Sequence, residues 1–396
     1  MIRRLSELDV RGKRVLVRVD FNVPLAEDGT VRDDTRIRGA LPTIRAILER
    51  EGIPILMSHL GRPKGTPMAQ FSLRPVAQHL AALIGTTVHF APDCIGHVAT
   101  ATVSQARPNE VVLLENLRFH PGEEENDRDF AASLAQLGDA YVNDAFGAAH
   151  RAHASISALA ENFVGRRAMG LLMEREIQYL SQVFAAPRRP FVAIIGGAKI
   201  SDKIRVLENL LQHADFVLIG GGMANTFLAA QGRNIGESIV DERFIELAHS
   251  LYAQYATKLY LPIDAVLSDE LNDSAITTTL NTQDIPPDTE LKILDIGPET
   301  VQSYRDIIQT AELVVWNGPM GVFEFKPFRA GTLGIATSVA EATARGATTI
   351  VGGGDSIAAL TLAGVADQIT HVSTGGGATL EYLEGKVLPG IAALEE

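Results

Sequence analysis

The sequence predicts an α/β protein with two doubly wound parallel-sheet, Rossmann-like domains joined by a central hinge helix. Three observations carry this. First, short apolar, β-branched runs recur along all 396 residues, each followed by a polar or glycine turn and then a helical pattern. Strands buried on both faces read this way, and helices between them imply parallel crossover units. Second, the two sides of residue 170 differ in chemistry: 20 Lys+Arg against 20 Asp+Glu before it, 15 against 28 beyond, and 22 of the 35 glycines lie in the second part. Third, Met173, Ile177, Leu180 and Phe184 recur at helical spacing in GLLMEREIQYLSQVF, and Pro187 and Pro190 follow as stops.

The runs are RVLVRVD (14 to 20), IPILMSHL (53 to 60), TVHFAPD (87 to 93), VVLLENL (111 to 117) and AYVNDAF (140 to 146) in the first half. The second half offers FVAIIGG (191 to 197), FVLIGGG (216 to 222), KLYLPIDAVL (258 to 267), LKILDIG (291 to 297), LVVWNGP (313 to 319), TTIVGGGD (348 to 355) and HVSTGGG (371 to 377). The expected domains are 1–169 and 170–383, the second opening with the hinge helix 170–185. The Thr- and Asp-rich stretch 267–290 reads as a surface excursion without function.

Composition narrows the functional classes. With 46% hydrophobic and 21% charged residues the chain reads as an ordinary globular protein. A net charge of -13 argues against nucleic acid or an anionic membrane as partner, so any anion site must be local. Cys94 is the only cysteine, which excludes an intrachain disulfide and a cysteine-based zinc cluster. No run of about 18 apolar residues occurs, and the N-terminal stretch has no apolar core after its basic residues, so a cytoplasmic location is expected.

In open parallel sheets, ligands sit beyond the carboxyl ends of the strands. In the first half those ends supply Asp20 and Asn22, His59 and Arg62, Asn116 and Arg118, then Asn143 and Asp144. In the second they supply Gly196, Gly197 and Lys199, then Gly220 to Gly222, Asn317 and Gly318, Gly352 to Ser356, and Gly375 to Gly377. Side-chain cations suit a small, highly charged anion, whereas glycines let backbone N–H groups approach a long phosphate chain. A phosphorylated small substrate is therefore expected in the first domain and a nucleotide in the second. Arg18, Arg36, Arg38, Arg62, Arg118 and Arg151 all lie at or near strand ends or in polar loops, and like charges gathered together call for an anion between them. His150 and His153 flank Arg151 without a third ligand, so structural or anion-binding roles are favoured over a metal. His120 and the acidic run Glu123 to Asp127 read as a solvated loop.

GGAKISDKI (196 to 204) sets Lys199 and Lys203 four apart, on one face of the first turns of a helix, although the Walker A order is absent. The GGG at 220 to 222 serves either tight strand–helix packing or phosphate binding. In GGGDS (352 to 356), Asp355 can hold a magnesium ion and Ser356 can cap the following helix. A nicotinamide-binding G-x-G-x-x-G turn is missing from both halves, and a noncatalytic phosphate-binding protein leaves the lysines, Asp355 and the glycine loops unexplained.

Taken together, RVDFNVP (18 to 24), DDTRIR (33 to 38), SHLGRPKG (58 to 65), ENLRFHPGEEEND (115 to 127), NDAFGAAHRAHAS (143 to 155), GGAKISDKI, WNGPMGVFE (316 to 324), GGGDS and STGGGA (373 to 378) closely resemble the bacterial phosphoglycerate kinase family, in family order over nearly the whole chain. The resemblance implies a hinge-bending, monomeric enzyme that exchanges a phosphoryl group between ATP and the carboxylate of 3-phosphoglycerate, giving ADP and 1,3-bisphosphoglycerate, with Mg2+. It places the acid at Asp20, Phe21, Asn22, Arg36, His59, Leu60, Gly61, Arg62, Arg118 and Arg151. The nucleotide falls to Lys199, Lys203, Gly221, Gly222, Asn317, Glu324, Gly353, Gly354, Asp355 and Ser356, with Asp355 near the metal. Arg36, Lys199, Gly375 and Gly376 are the expected catalytic set, and the tail 384–396 would return to the first domain. Ser356 stands where many members carry threonine, which keeps the hydroxyl.

Overall fold

In the computed structural model, which describes residues 2–396, the apolar runs become strands, most of them buried along nearly their whole length, with β-strands 88–91 and 292–296 only partly so. The first sheet contains β1 (Arg14–Arg18), β2 (Ile53–Met57), β3 (Val88–Ala91), β4 (Val111–Leu114), β5 (Ala140–Asn143) and β6 (Arg167–Met169), in the order β3-β4-β2-β1-β5-β6. Every pairing is parallel; Leu16 lies opposite Ile55 on one side and Tyr141 on the other. Helices such as Thr35–Glu49 bury Ile37, Leu41, Ile44 and Ile47 against it. Each such side chain, taken from water to the core, contributes roughly 1.5–3 kcal/mol. The short strand β6 has too brief an apolar pattern to stand out in the sequence.

The second parallel sheet begins with β7 (Phe191–Ile195), β8 (Phe216–Ile219) and β9 (Leu259–Tyr260). The run expected as one strand over 258–267 then breaks at Pro262, which has no N–H to give a ladder. Beyond it β10 (Asp264–Ser268), β11 (Thr278–Asn281) and β12 (Lys292–Ile296) form a separate antiparallel sheet in the order β11-β10-β12. LKILDIG is thus not part of the parallel sheet, and the stretch 267–290, read as a surface excursion, contains a strand. The parallel sheet resumes with β13 (Leu313–Asn317), β14 (Thr348–Gly352) and β15 (His371–Ser373), giving β15-β14-β13-β7-β8-β9. Counted over its own strands this is the 3-2-1-4-5-6 order, whose direction of winding reverses between β7 and β13.

The chain separates into two compact units, one running to Gln178 and including Val387–Glu396, the other Tyr179–Lys386. The helix Leu171–Ala185 carries the chain from one to the other. Its fully buried apolar residues are Met173, Leu180 and Val183, whereas Ile177 and Phe184, expected on the same stripe, are half-buried. In the first unit, the C-terminal segment donates Gly390 N–H to Ala149 O at 2.8 Å, and Arg167 reaches Glu395 O at 2.6 Å.

Candidate functional site

The first cluster is built at the carboxyl edge of β1, β2, β4 and β5. After β1 the chain turns out of the sheet, its Phe21 N–H donating to Ser58 Oγ and its Asn22 Oδ1 accepting from Gly61 N–H at 2.9 Å. Gly61 has φ +63°, and a β-carbon there would sit 2.4 Å from the Phe71 ring, so glycine is required. The Asn116 amide fixes the same loop from β4, accepting from Leu60 N–H and donating to Leu60 O at 2.7 Å.

Three guanidinium groups are held on this frame. Arg36, half-buried at the start of its helix, donates to Asp20 Oδ2 at 3.0 Å and Asn22 O at 3.2 Å. Arg118 is buried, donates to Gly61 O at 2.8 Å, and lies 3.3 Å from a Glu124 oxygen without hydrogen-bond geometry at its Nε. Burial, with the neighbouring Arg151 and Arg18 charges, holds its guanidinium below the usual arginine range, against the pull of Glu124. Arg151 bonds His150 at 3.1 Å. Arg62 is exposed beside the cluster and makes no ion pair among the described residues. His59 and His153 are both buried, and burial followed by the arginine charges drives His59 well below its ordinary value and His153 down to about 3. Burial and the arginine charges thus oppose a second proton on either ring.

Arg18 and Glu123 lie beneath, both fully buried. Arg18 Nε donates to Ser155 Oγ at 2.8 Å, and Ser155 Oγ donates to Glu123 Oε1 at 2.6 Å. The reading of Glu123 to Asp127 as a solvated loop is wrong at Glu123, whose carboxylate is the buried counter-charge to Arg18. His120 is half-buried, pairing with Asp93 at 2.7 Å and stacking on Phe130.

The second cluster surrounds a cavity of about 490 Å³ where the winding of the second sheet reverses. Its floor is backbone. Gly196 N–H donates to Asn317 O at 3.0 Å, and Gly318, with φ +98°, lies so close that a β-carbon on it would meet Gly196 O at 2.1 Å. A β-carbon on Gly221 would meet Gly197 O at 2.6 Å, and one on Gly222 would meet Ala198 O at 2.4 Å. The glycines at 220 to 222 thus serve close packing, and both Gly221 and Gly222 also line the cavity. Its other walls include Ile239, Leu294, Pro319 and Glu324.

Lys203 lies against this floor, its Nζ donating to Gly196 O at 2.8 Å and Asn317 O at 3.2 Å. Burial lowers its ammonium to about 8, opposed by the carboxylates of Asp355 and Asp202. Lys199 does not share a helical face with it: Lys199 is extended and exposed, Ile200–Asp202 forms a 3-10 turn, and the α-helix begins at Ile204. Asn317 also donates to Gly352 O at 2.9 Å, beside Gly353 at φ +93°. The helix Gly354–Ala363 is preceded by Gly353, so Ser356 is not its cap; instead Ser356 Oγ accepts from Gly318 N–H at 2.7 Å. Asp355 is exposed in the first turn and lines the cavity, as does the exposed Glu324. Gly375 N–H is taken by Ser373 Oγ, and Gly376, with φ +54°, precedes the helix Gly377–Leu383.

One cavity residue gave no signal in the sequence. Asp295 is buried, accepts from Ile296 N–H at 2.9 Å and Gly331 N–H at 2.7 Å, and is pushed up to about 8 by burial. It sits inside a β-strand run, and its carboxyl is explained by a partner far along the chain, Gly331 in the first turn of the helix Ala330–Ala344.

No helix among the described residues is long and apolar enough to cross a membrane. The phosphoglycerate kinase family model matches residues 5–386. A phosphoglycerate kinase of Chloroherpeton thalassium is 53% identical over 395 residues, covering 99% of this chain and 98% of that protein. One of Chlorobium limicola is 54% identical over 397 residues, covering 100% and 99%. Among solved structures, the phosphoglycerate kinase of Coxiella burnetii matches with a TM-score of 0.91 at 40% identity, over 100% of this chain and 99% of that one.

Proposed function

Since this chain belongs to the phosphoglycerate kinase family and is a phosphotransferase with a carboxyl acceptor, we propose that its two clusters divide the reaction between 3-phosphoglycerate and ATP. The observation that carries this most is Lys203, half-buried behind the glycine floor of a cavity that an exposed aspartate lines. That arrangement suits a polyphosphate: glycines without side chains let a phosphate chain come close, one cation lies behind the floor, and the remaining walls are apolar enough for a nucleobase. The arginine cluster suits a compact acid bearing a phosphate and a carboxylate.

On this reading Arg36, Arg118, Arg151, Arg62 and His59 hold 3-phosphoglycerate, with Asp20 and Asn22 orienting Arg36 through the bonds described above. Lys203 and the loops of Gly221, Gly222, Asn317, Gly353 and Gly354 hold the phosphates, Glu324 lies toward the ribose, and Ser356 secures Gly318. Asp355 fits a magnesium ion, being an exposed carboxylate with no hydrogen bond to surrender among the described residues, and one or two carboxylates beside nucleotide phosphates are the usual protein share of such a site. Bound there, Mg2+ would neutralise charge on the phosphate oxygens.

The acceptor carboxylate is already ionised near neutral pH, so no general base is needed. Rate enhancement comes from alignment and from neutralising the transferring group. Arg36 supplies charge from the first unit, and Lys199, exposed and unpaired among the described residues, from the second; Gly375 and Gly376 line the adjacent helix start. Closure about the helix Leu171–Ala185 would bring these groups together and exclude water. The enzyme works as a cytoplasmic monomer in this account, which light scattering at one chain's mass would check.

The deciding experiment is ADP formation from ATP by the purified chain, with 3-phosphoglycerate and magnesium each omitted in turn. Formation that needs both is expected. ADP release independent of the acid would sink the assignment of the arginine cluster, and release independent of metal would sink that of Asp355.

A further inference from the structure

Arginine has only donors, and this settles the state of a neighbouring ring. Arg18 Nη2 lies 3.1 Å from His59 Nδ1, so Nδ1 must be the acceptor and the ring's single proton must sit on Nε2. Nε2 takes no partner among the described residues and is not sealed from solvent, the residue as a whole being 8% exposed. Arg18 itself is held from the other side by the Ser155–Glu123 relay, and its Nη1 is tied to Val19 O, so the guanidinium cannot turn away. Ser155 is fixed in turn, its N–H donating to Glu123 Oε2 at 2.9 Å.

We propose that Arg18, oriented by Glu123 through Ser155, is a positioning residue that locks His59 as the neutral Nε2–H tautomer, so that this ring recognises the substrate anion as a hydrogen-bond donor and not as a cation. The charged groups facing His59 are Arg18 from β1, Arg118 from the loop after β4, Arg36 from the helix Thr35–Glu49 and the neutral His153 from the loop after β5. All oppose a second proton on the ring, and the one buried carboxylate, Glu123, is already engaged with Ser155 and Arg18. A fixed neutral donor reads geometry without adding a charge that varies with pH. The tautomer follows from the protein alone; its role toward the acid rests on the function proposed above.

The test uses the full chain with 15N-labelled histidine, the His59 signals being assigned by their loss in His59→Gln. Between pH 5.5 and 8 one protonated nitrogen, Nε2, and no titration are expected. Protonated Nδ1, or a ring that gains a second proton in that window, overturns the inference whatever the protein binds. Ser155→Ala, its fold checked by far-UV circular dichroism, should bring in an Nδ1–H population, and Ser155→Thr, which keeps the hydroxyl, should restore the parent spectrum; unchanged spectra in a folded Ser155→Ala overturn the part given to Glu123. In steady-state kinetics, His59→Gln, whose amide N–H can stand where Nε2–H does, should raise KM for 3-phosphoglycerate less than His59→Asn does. His59→Asn should raise it about tenfold, the loss of one hydrogen bond to a charged group. Spectra as expected with no KM change in either variant would count against His59 as a contact of the acid, and so against that part of the proposed function, while leaving the tautomer standing.

Discussion

Two glycines with nearly the same backbone angle separate the cost of conformation from the cost of crowding. Gly318 has φ +98° and Gly346 φ +102°. An alanine at either pays for a conformation that L-residues avoid, about 1–2 kcal/mol. At Gly346 nothing lies within 4 Å of the added β-carbon, and the cost ends there. At Gly318 the β-carbon would stand 2.1 Å from Gly196 O and 2.3 Å from Lys203 Nζ, so one of them must move by more than 1 Å to reach van der Waals contact. Moving Lys203 loosens its bonds to Gly196 O and Asn317 O. At about 1.5–3 kcal/mol for a hydrogen bond to a charged group, partial loss of both adds about 2–4 kcal/mol. Gly318→Ala is thus expected to destabilise the second unit by about 3–6 kcal/mol and Gly346→Ala by about 1–2. Urea titration followed by fluorescence reads this unit directly, because Trp316 is the only tryptophan and donates to Gly318 O. Equal losses in the two variants would refute the account of the floor as a contact of backbone on backbone.

Lys203→Met should raise KM for ATP by at least about tenfold with little effect on KM for 3-phosphoglycerate, and comparable changes in both would remove Lys203 from the nucleotide site. Because its folded value, about 8, lies below the ordinary 10.5 of a lysine, the unfolded chain binds more protons between the two; stability should therefore rise as pH increases from about 8 to 10.5, and Lys203→Met should abolish that rise. Asp144 works in the opposite sense: burial pushes it up from 3.8 to about 7 while its Oδ1 accepts from Leu172 and Met173 N–H, so the folded state holds the extra proton and stability should fall as pH climbs through that window. Asp144→Asn should flatten this slope, and an unchanged urea midpoint profile would show that the carboxyl ionises without cost. Arg36→Ala should lower turnover far more than it raises KM for either substrate; a change in KM alone would show that Arg36 only binds.

The parallel strands were legible because burial on both faces demands an unbroken apolar run, and the strand-end rule then led to Asp20, His59, Arg118 and the glycine turns without any contact being known. What escaped depends on partners far along the chain. Glu123 lies in an acidic stretch that looks solvated; it is buried with Arg18 from the end of β1 and Ser155 from the loop after β5, both distant in sequence. β11 is a threonine-rich run with its first residues exposed, the pattern of a loop until β10 pairs with it. Spacing alone put Lys199 and Lys203 on one helical face, but an extended backbone at Lys199 cancels the periodicity that the inference needs. Ser356 was read as a cap from its residue type, although the glycine before the helix fills that place and the hydroxyl bonds across to Gly318.

The antiparallel inset of β10, β11 and β12 separates two kinds of mutational freedom around one cavity. The glycine floor is fixed by carbonyl oxygens that leave no room for a side chain, so most substitutions there are lethal to the geometry. The facing wall, where Ile293 and Leu294 line the cavity, comes from a hairpin-like module inserted between two strands of the parallel sheet. Drift or deliberate redesign of that wall can reshape what the cavity accepts while the floor stays as it is, which makes Ile293 and Leu294 the natural starting points for altering the cavity's selectivity.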